Sequence, residues 1–120
     1  MEFNIGMDGD VVTMSIAGDL VASSAEEFKS QVAKLCDKSF CFILVEISRV
    51  NFMDSSGLGS CMAAHKMVSG KNGMMVLAKP SEAVGKILRL TRADKKLNIA
   101  PTPRDGITVL QNAIIDGRKK

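Results

Sequence analysis

The polar residues best placed to do chemistry lie in one short stretch, Asp54-Ser55-Ser56-Gly57. The stretch follows an apolar run with the length of a buried strand and precedes a pattern typical of a helix. Asp54 can therefore accept a hydrogen bond from a free backbone N–H of the first helical turn. Ser55 would lie in that turn, where the free donors and the helix dipole favour a phosphate. Gly57 and Gly59 would keep the nearby surface low enough for another protein's active site to reach Ser55.

Other interpretations of this stretch remain open. Asp54 and Ser55 could cap the helix and have no further role. A phosphate-cradling loop would need the lysine of a P-loop or the three-glycine spacing of a dinucleotide site, and the stretch has neither. A nucleophile elbow would need Gly-x-Ser-x-Gly, whereas Phe52, Met53 and Asp54 precede the serines. The residue types alone therefore favour either simple helix capping or a modification site.

The composition is that of one folded domain, which we expect to span residues 1–120. The hydrophobic fraction of 46% is enough for a real core. A net charge of +3, with no Trp or Tyr, gives neither the clustered basic surface nor the stacking aromatics of a nucleic-acid binder. We therefore expect no direct nucleic-acid partner, and we read the basic end, residues 118–120, as a solvated tail.

Cysteine usage and the ends of the chain indicate a cytoplasmic protein. Cys36, Cys41 and Cys61 are odd in number, lack CxxC spacing and lie in apolar segments, so we expect reduced, buried thiols and no metal site. The first residues show no signal peptide. No apolar stretch is long enough to span a bilayer, so we expect no membrane partner.

Hydropathy patterns predict the element order β-β-α-β-α-β-α-β-α. Alternating apolar residues predict a hairpin with one face buried, over Phe3, Ile5, Met7, Val12, Met14 and Ile16. Ser24 and Glu27 have the spacing of a capping box at the first helix. Continuous apolar runs at residues 40–45 and 74–78 predict strands buried on both faces. The fold class is therefore α/β, with a mixed β-sheet of about five strands and four helices packed against it.

The segment Phe52-Met53-Asp54-Ser55-Ser56-Gly57-Leu58-Gly59 resembles the signature of the STAS domain family, and within it the bacterial anti-sigma factor antagonists. The similarity extends along most of the chain: the segments that also match are Ala17-Gly18-Asp19-Leu20, residues 43–47, Gly73, Pro80 and Leu88-Arg89-Leu90-Thr91. The resemblance implies a STAS domain that is a regulatory binding protein, without enzymatic activity or a cofactor.

The resemblance also implies roles for individual residues. Ser55 matches the family's phosphorylation site, Asp54 the companion acid, and Ser56, Gly57 and Leu58 the docking surface. The implied partners are an anti-sigma factor that is itself an ATP-dependent serine kinase, and a PP2C-type serine phosphatase. The unphosphorylated form would bind the anti-sigma factor and so release a sigma factor.

Residues along the second predicted helix extend this surface. Gly57, Cys61, Ala64 and Val68 form a small-residue face suited to packing on the sheet, with Leu58, Met62 and His65 beside it. Met62 is a candidate partner contact or a rim packing residue. His65, the single histidine, has no Ser-His-Asp or Cys-His constellation around it and is not a candidate catalyst.

Two positions depart from the family pattern. Val21 stands where members commonly carry an acid, and Ala93-Asp94 stand where they commonly carry Gly-Leu. Both changes affect the edge that usually faces the partner. The alternatives to an antagonist are a STAS subunit of a signalling scaffold, a transporter accessory protein and a nucleotide-binding STAS domain.

Overall fold

Alternating and continuous apolar segments form five strands connected by helices in the computed structural model, which describes residues 1–118. In chain order the elements are β1 (Glu2–Asp8), β2 (Val11–Ala17), α1 (Ala22–Asp37), β3 (Phe42–Arg49), α2 (Ser55–Ser69), β4 (Met74–Ala78), α3 (Glu82–Leu90), a 3₁₀ turn (Ala93–Lys95), β5 (Asn98–Ala100) and α4 (Pro103–Arg118). Lys119 and Lys120, which we read as part of a solvated tail, lie outside the described residues.

The sheet is mixed and has the strand order β1-β2-β3-β4-β5. The hairpin strand β1 is antiparallel to β2, and every other neighbouring pair is parallel. The described elements thus confirm the predicted α/β class with five strands and four helices. Because β2, β3 and β4 are parallel, their carboxyl ends lie at the same end of the sheet, and α1, α2 and α3 all begin there. Asp54 and Ser55 lie at this end.

Two apolar clusters lie on opposite faces of the sheet. On one face, Phe28 of α1, Ala64 of α2 and Leu88 of α3 pack with strand residues such as Ile43. On the other face, Leu110 of α4 packs with a second cluster, whose strand members include Leu44 and Val76. Since Ile43 and Leu44 are adjacent, β3 is buried on both faces, as its continuous apolar run predicted.

The start of α1 differs from the prediction. The helix begins at Ala22, with Val21 as its N-cap residue, so Ser24 is the third helical residue and not the cap. The Ser24 hydroxyl accepts from the Val21 N–H at 3.0 Å and donates to the Asp19 carbonyl at 2.8 Å. The predicted capping box with Glu27 is therefore wrong. Backbone bonds that fix Leu20 make the helix begin earlier than the side-chain spacing indicated.

The hairpin also differs from the prediction. Phe3 is half-buried, but Ile5 and Met7 are exposed, because the main contacts of β1 are with β2 alone. The alternation predicted that Met7 and Met14 both lie on the buried face of the hairpin. Met14 is buried, but Met7 is not. The next strand, β3 (Phe42–Arg49), begins two residues later and ends four residues later than the apolar run at residues 40–45 predicted.

Candidate functional site

Two loops, one after β2 and one after β3, build the site. An isolated parallel bridge joins Leu20 in the first loop to Met53 in the second. The Leu20 N–H donates to the Phe52 carbonyl at 2.9 Å, and the Asp54 N–H donates to the Leu20 carbonyl at 3.3 Å. Both Leu20 and Met53 are buried. The backbone that enters α2 is therefore held in place by the neighbouring loop.

The Asp54 carboxylate lies between the first turns of two helices. Its Oδ1 accepts from the Gly57 N–H of α2 at 2.8 Å, and its Oδ2 accepts from the Ala22 N–H of α1 at 3.4 Å. Val21, the N-cap residue of α1, has no side-chain acceptor and makes no capping bond. The expected capping of α2 by Asp54 is confirmed, and its contact with α1 was not foreseen.

Ser55 is the first residue of α2, and its side chain is exposed. Among residues 1–118, no group accepts a hydrogen bond from its hydroxyl. The N–H groups of Ser55 and Ser56 likewise have no acceptor within the described part of the chain, as is usual in a first helical turn. An anion on the Ser55 oxygen would lie at the positive end of the helix dipole, close to these donors.

The two glycines near Ser55 have different surroundings. Gly57 is buried, and a Cβ atom there would lie 1.9 Å from the Leu20 carbonyl oxygen. Gly59 is exposed, and a Cβ atom there would meet nothing within 4 Å. Gly57 therefore allows α2 to approach the Leu20 loop closely, whereas Gly59 leaves the surface beside Ser56 open.

Three apolar residues close to Ser55 and Ser56 along the chain are partly exposed to solvent. Leu58 and Met62 are half-buried and pack against the core, so each also presents part of its side chain to solvent. Phe52, which sequence analysis did not single out as a contact residue, is 50% exposed and lies two residues before the capping residue Asp54. Hydropathy gave no signal that could have identified it, because an aromatic side chain in an apolar stretch is ordinarily expected in the core.

The remaining candidate residues on α2 are buried or half-buried. Cys61, Ala64 and Val68 are buried on the sheet-facing side, as predicted. Burial raises the pKa of the Cys61 thiol to about 12. His65 is half-buried, and its Nδ1 has no partner among the described residues. Its position ten residues along the helix puts it about 15 Å from Ser55, too far to activate the hydroxyl.

The other two cysteines lie at the opposite end of the sheet from Ser55. Cys36 and Cys41 are free and buried, as predicted, and the Cys41 thiol donates to the Cys36 carbonyl at 3.7 Å. The pKa of the Cys36 thiol is raised to about 12, mainly by burial and to a smaller extent by the hydrogen bond with Cys41. Within the described residues, no three His, Cys, Asp or Glu side chains come together as a metal site would require.

A depression lined mainly by apolar side chains is also remote from Ser55. It has a volume of about 500 Å³ and is lined by residues at the amino ends of the parallel strands, among them Met7, Phe40, Phe42 and Ile114. A nucleotide bound there would not approach the Ser55 hydroxyl. No helix within residues 1–118 is both long and apolar enough to cross a membrane.

The two departures from the family pattern lie at the start of α1 and in the 3₁₀ turn. Val21 leaves the first turn of α1 without a carboxylate of its own, so that Asp54 is the side chain serving this turn. Ala93 is buried at the start of the 3₁₀ turn, and Asp94 is half-buried beside it. Arg92, directly before them, has a φ of 60°, a left-handed conformation that glycine adopts more easily.

Comparisons with known proteins identify the family and the fold of this chain. A family model described as "STAS domain" matches residues 3–106. A Thermotoga neapolitana protein, provisionally named as an anti-sigma factor antagonist, is 30% identical over 85% of this chain and 91% of its own length. A similarly named Thermotoga maritima crystal structure has a TM-score of 0.84 at 27% identity, covering 91% of this chain and 94% of that one. The Bacillus cell fate determinant SpoIIAA in its phosphorylated form shares the fold, with a TM-score of 0.67 at 21% identity, covering 89% and 97%.

Proposed function

Because the chain belongs to the STAS domain family, we propose that it is an anti-sigma factor antagonist whose binding state is set by phosphorylation of Ser55. The observation that carries the proposal is the state of Ser55: an exposed side chain at the first position of α2, with a hydroxyl that has no acceptor among the described residues. Such a group is accessible to a kinase and free to react.

The chemistry of the switch requires another protein. No side chain within residues 1–118 accepts the Ser55 proton, and both Asp54 oxygens already accept backbone hydrogen bonds. Ser55 therefore lacks the neighbouring base that would activate it. A serine kinase would supply that base and ATP. The Ser55 oxygen would attack the γ-phosphorus, ADP would leave, and the kinase base would take the proton.

We expect a phosphate on Ser55 to fit the site without any rearrangement. A phosphate on Ser55 would carry about −1.5 to −2 charges at neutral pH. It would lie close to the free N–H groups of the first turn and at the positive end of the α2 dipole. Among proteins of this fold, SpoIIAA is described in a phosphorylated form. A PP2C-type phosphatase would return this chain to its binding form by hydrolysis.

The proposed docking surface consists of residues that surround Ser55. Its members are Asp54, Ser56, Leu58 and Met62, together with Phe52. Gly57, which the resemblance also placed on this surface, is buried and contributes by allowing α2 to lie close to the Leu20 loop. The half-exposed apolar side chains would pack against the anti-sigma factor, which on this account is also the kinase. Because ATP is the phosphate donor, the switch would operate in the cytoplasm. The protein itself would have no enzymatic activity.

Phosphopeptide mapping tests the proposal. The wild-type protein, Ser55→Ala and the matched control Ser56→Ala would each be incubated with ATP and the anti-sigma factor kinase of the same organism. We expect one phosphate per chain in the wild-type protein and in Ser56→Ala, and none in Ser55→Ala. Phosphate on Ser56 alone, or on both serines equally, would contradict the assignment.

A further inference from the structure

The edge strand β1 carries a row of apolar side chains, of which Phe3 packs against the core while Ile5 and Met7 are left about half exposed. Its main contacts are all with β2, and no described helix packs substantially on it. Phe3, Ile5 and Met7 are paired with Ile16, Met14 and Val12, so all three point to the face that carries α1. Ile5 is 48% and Met7 54% exposed. The apolar row thus continues the core beyond the edge of the helical layer.

The two edges of the sheet are protected to very different degrees. The far edge is β5, which has only three residues, Asn98–Ala100, and follows Lys95 and Lys96. Short length and nearby lysines are common ways to prevent an edge strand from pairing with another chain. In contrast, β1 has seven residues, no Lys or Pro, and a register with β2 that is regular throughout. Of the two edge strands, β1 therefore offers the longer stretch for pairing, with charges only at its two ends, Glu2 and Asp8.

The sequence of β1 is complementary to itself in one antiparallel register. With a two-fold axis at Asn4, Phe3 lies opposite Ile5 of the second copy and Met1 lies opposite Met7. Glu2 then lies opposite Gly6, so no acid faces an acid. An axis at Ile5 would instead place Glu2 opposite Asp8, and like charges directly opposite each other destabilise a strand pair. An axis at Gly6 would leave Phe3 unpaired.

We propose that β1 is a homodimerisation edge, at which two copies of this chain pair their β1 strands antiparallel about an axis at Asn4. The pairing joins the two sheets into one continuous sheet of ten strands. It satisfies the outward-pointing backbone groups of β1, and it places Ile5 beside Phe3 and Met7 beside Met1 of the second copy. Ser55 follows β3, two strands away from this edge, and remains accessible in the dimer. The dimer is therefore independent of the proposed phosphorylation.

Sedimentation velocity of the purified protein over about a thousandfold range of concentration tests the dimer. We expect a reversible monomer–dimer equilibrium in the wild-type protein. Ile5→Lys places a charge opposite Phe3 of the second copy and should raise the dimer dissociation constant at least about tenfold. The matched control is Ile115→Lys, because Ile115 is also 48% exposed but lies on α4. We expect the control to dimerise like the wild-type protein.

Disulfide trapping tests the register. An axis at Asn4 brings the two copies of residue 4 within the reach of a disulfide, while the two copies of residue 5 are offset along the strands. Asn4→Cys should therefore form a covalent dimer under mild oxidation, and Ile5→Cys should form much less. A wild-type protein that stays monomeric at its highest concentration would overturn the proposal. Equal disruption by Ile5→Lys and Ile115→Lys, or equal trapping at residues 4 and 5, would also overturn it.

Discussion

At the residue scale, Asp54 is the side chain on which the site's geometry depends most. It accepts backbone hydrogen bonds from Gly57 and Ala22, and so links the first turns of α2 and α1. Val21 cannot replace it at α1. Asp54 therefore fixes both the backbone conformation around Ser55 and the position of the neighbouring helix.

Asp54→Ala removes the acceptor from both helix starts. We expect the free energy of unfolding to fall by about 1–2 kcal/mol, in the range of a lost N-cap. Urea unfolding followed by circular dichroism measures the change. The control is Asp19→Ala, a change to an exposed acid whose side chain forms no hydrogen bond within residues 1–118, and it should stay within about 0.5 kcal/mol of the wild-type protein. An equal loss in the two variants would contradict the capping role.

The buried thiols predict how stability responds to alkaline pH. Burial raises the pKa of Cys36 and Cys61 to about 12 in the folded protein, from 9.0 in a free thiol. Between pH 9 and 12 only the unfolded chain loses these protons. The stability present below pH 9 is therefore lost as pH rises, by about 1.4 kcal/mol per pH unit for the Cys61 thiol.

Cys61→Ala should flatten this pH dependence by the contribution of one thiol, although it also lowers stability at every pH by creating a cavity. Urea unfolding at intervals from pH 8.5 to 11 measures the slope, for which pH 11 is about the practical limit. A slope unchanged by Cys61→Ala would show that this thiol ionises as easily in the folded protein as in the unfolded chain.

At the element scale, the close approach of α2 to the Leu20 loop depends on Gly57. A Cβ atom at this position would lie 1.9 Å from a backbone oxygen, which cannot move aside as a flexible side chain can. Gly57→Ala should therefore displace the start of α2 and cost about 1–3 kcal/mol. Gly59→Ala is the matched control, since it meets nothing within 4 Å and should stabilise the helix by about 0.5–1 kcal/mol. Thermal unfolding of the two variants decides the matter: shifts of the same sign would contradict this account of the packing.

The same helix shows how far the sequence predicts the structure. The start of α2 was predictable because Asp54, whose carboxylate can cap a helix, directly precedes a helical pattern. Local capping of this kind decides where such a helix begins. The start of α1 was not predictable, because the bonds that fix Leu20 come from residues 52–54, more than thirty positions away. The exposure of Ile5 and Met7 was hidden for a similar reason. Alternation shows which residues share a face but not whether a helix covers it.

The site itself could be predicted in part. The positions of Asp54 and Ser55 at the beginning of α2 followed from the pattern of residue types. The bond from Asp54 to Ala22 did not, since it depends on how two loops meet. Phe52 was also missed, because hydropathy alone gave no reason to place an aromatic side chain at the surface.

At the scale of the whole molecule, the site lies on a rigid framework. The loop that carries Asp54 is bridged to Leu20, and the Ser81 hydroxyl donates to the Val50 carbonyl at 2.7 Å, which connects the start of α3 to the end of β3. A phosphate on Ser55 should change none of these contacts. Its charge is favourable at the helix start, where a single charge contributes about 0.3–1 kcal/mol. The switch should therefore change the surface that is presented to the partner without altering the fold.

The affinity of the anti-sigma factor for the unphosphorylated and the phosphorylated protein tests this claim most directly. Both forms would be measured by surface plasmon resonance, after calorimetry has shown that each is folded. We expect phosphorylation of Ser55 to weaken binding about 30- to 1000-fold, which corresponds to about 2–4 kcal/mol, while the melting temperature stays equal or rises slightly. Ser55→Ala should bind like the unphosphorylated protein. Equal affinity of the two forms, or weaker binding only because the phosphorylated form has unfolded, would contradict the account.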